Sequence, residues 1–76
     1  MRMRLSVVLR RLAPDLAAYL WRVRRVQELS HDVRGAMADV LGHEAAHRGL
    51  GPDDEPNQYG RDLDALVEAL GLKEQP

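Results

Sequence analysis

The chain has no cysteine, so it can form neither a disulfide framework nor a thiolate metal site. It also has no phenylalanine, and its only aromatic residues are Tyr19, Trp21 and Tyr59. No apolar run approaches the ~20 residues that a membrane span requires. Leu5 to Leu9 is too short for the apolar region of a secretory leader, and the expectation is a cytoplasmic chain with no integral membrane segment. Isoleucine is missing as well, while arginine outnumbers lysine by ten to one. These are the amino acids of GC-rich codons, a bias that points to a high-GC bacterium or one of its phages as the source.

What remains is 76 residues with a formal net charge of −1. A chain of this length allows one small domain with a modest core. Without disulfides, the remaining staples are oligomerisation or a metal held by histidine and carboxylate. The charge is unevenly spread. Residues 1–34 hold eight arginines against Asp15, Glu28 and Asp32, whereas Arg48, Arg61 and Lys73 face nine carboxylates in the remainder. That polarity predicts an anionic partner for the basic half, or two chains that run antiparallel so that opposite halves meet.

Turn residues divide the chain at Pro14 and at Gly49-Leu-Gly-Pro-Asp-Asp-Glu-Pro56. The predicted class is all-α: a basic N-terminal helix or strand over residues 1–13, a long central helix over 14–48, a loop over 49–57 and an acidic helix over 58–71. Pro14 and Asp15 suit the start of the central helix. Ser30 followed by Asp32 can cap a new helix instead, which breaks the long one and makes a hairpin possible. In the last helix Tyr59, Leu63, Leu66, Val67 and Leu70 share a face, and Gly71 supplies a stop.

The most extended pattern is a 4-3 spacing through Leu5, Leu9, Leu12, Leu16, Tyr19, Val23, Val26, Ser30, Val33, Met37 and Val40. This is a heptad signature, interrupted once by a polar residue. A single helix cannot bury such a ridge alone. The ridge therefore predicts a helical hairpin or bundle completed by oligomerisation, with Leu9, Leu12, Leu16, Tyr19, Val23, Val26, Val33, Met37 and Val40 as the seam. The partner is a second copy or another helical protein. In the same register Trp21 falls at the outermost position, flanked by Arg22, Arg24 and Arg25, a composition enriched at binding hot spots. The competing expectation is that the C-terminal helix covers Trp21.

Two other functions are written in the residues. His43-Glu44-Ala45-Ala46-His47 is an HExxH run, which on a helix puts two imidazoles one turn apart on a possible zinc ion. The run resembles the signature of zincin metallopeptidases, a resemblance that covers five residues. It implies His43 and His47 as zinc ligands and Glu44 as general base. A third ligand is implied at Asp53 in the metzincin pattern, which would also want glycine where Leu50 stands, or at Glu68 in the gluzincin pattern. The heptad register offers the plainer account, in which Glu44 and His47 form the polar end of the seam. The third class is nucleic-acid binding through Arg2, Arg4, Arg10, Arg11, Arg22, Arg24, Arg25 and Arg34. No DNA- or RNA-binding signature accompanies these arginines. The leading expectation is a non-enzymatic interaction or assembly module with no cofactor.

Overall fold

The computed structural model describes residues 4–71. Arg2 of the basic set, Met1 and Met3 of the possible strand, and Lys73 lie outside them. The described part is all-α, with four helices and no strand. Leu5, Val8, Leu9 and Leu12 set the inner face of α1 (Leu5–Leu12), which buries Val8 and Leu9 and has Arg10 and Arg11 in its last turn. Cations there complement the negative pole of the helix. The helix stops at Ala13, whose φ of −151° and ψ of 77° are not helical. Pro14 explains this, because its ring excludes the preceding residue from the helical region.

Pro14 then opens the short α2 (Pro14–Ala17), with Asp15 in its first turn. Here the expectation of a long central helix over 14–48 is corrected. The backbone tightens into a 3-10 stretch over Ala18–Arg22 and becomes extended at Val23. It is extended again at Arg25 before a second 3-10 turn, Val26–Glu28. In this stretch Val23 and Val26 are half-buried and pack on the core, while Arg24 and Arg25 face solvent. Burial of the two valines and exposure of the cations replace one continuous stripe.

The alternative break at Ser30 is the one observed. The Ser30 hydroxyl accepts a hydrogen bond from the Val33 N–H at 3.2 Å and starts α3 (His31–Arg48). It thereby satisfies a donor that the first turn would otherwise leave unpaired. Asn57 caps α4 (Gln58–Ala69) in the same way, accepting from the Gly60 N–H at 2.8 Å. Its amide Nδ2 also donates to the Arg48 carbonyl at 3.2 Å, so one side chain ties the end of α3 to the start of α4. Gly71 follows with a φ of +70°, the left-handed conformation that ends a helix without steric cost in glycine.

The helices α3 and α4 pack as an antiparallel hairpin. At one end the Arg34 guanidinium donates to the Leu70 carbonyl at 2.9 Å. At the other, Gly49 and Gly60 touch through their backbones: a Cβ on Gly49 would lie 2.7 Å from the Gly60 Cα, and a Cβ on Gly60 would strike the Gly49 carbonyl. Met37 and Leu41 of α3 share the core with Leu63 of α4 and Leu70 just past its end, and Leu9 of α1 closes it, all five with no exposed area. Among the described residues no helix is long and apolar enough to cross a membrane.

Candidate functional site

The helical repeat fixes the placement of the HExxH residues. Residues four apart on α3 lie one above the other, and the His43 and His47 rings stand 4.2 Å apart between centroids, tilted by 56°. Both are exposed. Glu44, about 100° further round the helix, turns toward α4. There the Tyr59 hydroxyl donates to Glu44 Oε2 at 2.7 Å and accepts from Arg11 Nη2 at 2.8 Å. This relay joins α1, α4 and α3 at one corner. Burial and the neighbouring carboxylate raise the Tyr59 pKa above its ordinary 10.0, against the opposing pull of Arg11 and Arg48.

His43 and Glu44 also line an open depression of about 350 Å³, with Leu12, Asp39 and Val40. The site therefore offers two solvent-facing imidazoles and a carboxylate already engaged by a phenol. It does not offer the third ligand. Among the described residues no three histidine, aspartate or glutamate side chains are grouped closely enough to hold a metal ion. Neither Asp53, in the loop, nor Glu68, exposed on α4, joins the histidine pair.

The seam residues turn inward. Leu9 and Met37 are fully buried, and Leu12, Leu16, Val23, Val26, Val33 and Val40 pack half-buried on the same core. Tyr19 alone among them is exposed, at 40%. The ridge thus becomes core because the chain breaks before α3 and folds back, which a single register cannot represent.

The Trp21 patch has the opposite placement. Trp21 is 74% exposed, so α4 does not cover it, and Arg22, Arg24 and Arg25 are exposed beside it in the chain. The Arg22 guanidinium carbon lies 5.9 Å from the centre of the Tyr19 ring, within cation–π range. The chain matches no protein-family model, no curated protein and no solved structure.

Most of the polar ties are not legible in local spacing. Arg11 and Arg34 read as solvated members of the basic half, yet both make hydrogen bonds across the fold. Tyr59 carried a usable signal, since a tyrosine on an apolar face brings a hydroxyl that needs a partner when buried. Nothing in the spacing of Glu44 indicated that it would supply one.

Proposed function

We propose that this protein is a non-enzymatic interaction module that engages an acidic helical protein through Tyr19, Trp21, Arg22, Arg24 and Arg25. The exposure of Trp21 among three arginines carries the reading. A large ring left in water costs hydrophobic stabilisation that a partner's apolar surface would recover. Arginine rims such a contact well, because its planar fork matches carboxylates in pairs. The valines of this segment face the core, so the side chains left for a partner are the aromatic and cationic ones. The seam is not the proposed contact, because its aliphatic residues already fill the chain's own interior.

Trp21 is the only tryptophan, so its fluorescence reports the contact directly. Titration with an amphipathic peptide of leucine and glutamate is expected to shift the emission to the blue. Trp21→Ala is expected to weaken binding roughly thirtyfold, the scale of a hot-spot residue, when followed by anisotropy of a labelled peptide. If a single-stranded oligonucleotide quenches Trp21 while the peptide leaves it unchanged, the basic segment serves nucleic acid and the proposal fails.

A further inference from the structure

We propose that His43 and His47 form half of a zinc site that is completed by the same pair from a second copy of the chain. The inference concerns the exposed face of α3 and is independent of the Trp21 patch. Two neutral imidazoles one helical turn apart can chelate a borderline divalent cation at Zn–N distances of ~2.0–2.1 Å. The 4.2 Å separation of the rings brings both to one side of the helix, so a change of rotamer is enough to point a nitrogen of each at a shared ion. Two ligands leave a tetrahedral ion half-coordinated. Since no three histidine, aspartate or glutamate side chains of the described residues are grouped closely enough to hold an ion, water or another molecule must supply the rest.

The surface around the pair allows a second helix to supply it. Asp39, Gly42, His43, Ala46 and His47 are all exposed and fall on one side of α3. A Cβ built on Gly42 meets nothing within 4 Å. The helix thus presents two imidazoles with glycine and alanine between and beside them, and the distance between packed helices shrinks with the side chains at the contact. Placed across a two-fold axis, two such faces put four imidazoles around one ion on the axis, with each chain in the same role. The position is favourable to a cation. His47 sits in the last turn of α3, where the helix dipole is negative, and Asp39 adds a carboxylate to the same face.

The assembly is read by sedimentation of the full chain during titration with zinc chloride. The expected result is a doubling of the 8.6 kDa mass with saturation at one zinc per two chains, reversed by chelator. His43→Ala and His47→Ala are each expected to abolish the doubling. Gly42→Gln keeps both ligands but fills the face, and is expected to leave a monomer that still binds zinc. Asp53→Asn and Glu68→Gln are expected to change nothing. One zinc per chain without a change of mass, no zinc uptake, or a doubling that survives His47→Ala or Gly42→Gln would each overturn the proposal.

Discussion

At the scale of single residues, Tyr59 has the most consequential polar contacts, because its hydroxyl is the meeting point of three helices. Replacing it with phenylalanine removes two hydrogen bonds while conserving the packing of the ring. Tyr59→Phe is expected to lower stability by about 1 kcal/mol at neutral pH, the usual net worth of such contacts at a partly exposed site, as measured by urea unfolding. The raised pKa of Tyr59 adds a pH signature. A folded-state pKa above the unfolded one means the fold favours the neutral phenol. That stabilisation is complete below pH 10 and is lost as pH rises through the folded value. The difference between the native protein and Tyr59→Phe should therefore shrink between neutral and strongly alkaline pH, and a difference that grows would refute the assignment.

At the scale of elements, glycines of the same type have opposite effects. Gly42 sits mid-helix in open space, so Gly42→Ala should stabilise the protein by about 0.5–1 kcal/mol through helix propensity alone. Gly60 also lies within a helix, yet its missing side chain admits the Gly49 backbone. Gly60→Ala should cost about 1–3 kcal/mol, the range of overpacking, despite the better propensity of alanine. Thermal unfolding of the two variants side by side separates the effects.

The elements also show where the sequence was readable. The apolar face of Tyr59 to Leu70 matches the buried side of α4, and the helix of Leu5, Val8, Leu9 and Leu12 is α1, because local periodicity governs both. Ser30 was readable as a cap and equally as a polar place in a seam. The deciding contacts are long-range, between Met37, Leu41, Leu63 and Leu70, and no local pattern encodes them. For the same reason the spacing of the histidines was legible, whereas the engagement of Glu44 by Tyr59 was not.

At the scale of the whole molecule, the hairpin of α3 and α4 forms from neighbouring sequence, and the segment before it rests on that hairpin. Amide hydrogen exchange should therefore be slowest in α3 and α4 around Met37, Leu41 and Leu63, and fastest between Val23 and Glu28, where helical hydrogen bonding is interrupted. Equal protection across both regions would show that the chain opens only as one unit.

The strap that carries Trp21 is anchored at both ends, by the buried Val8 and Leu9 behind it and by the buried Leu29 and capping Ser30 ahead. Closing that loop is an entropic cost already met when the chain folds. A visitor that takes hold of the indole therefore meets a backbone already tied at both ends, so less of the contact energy is spent on bringing that backbone into place.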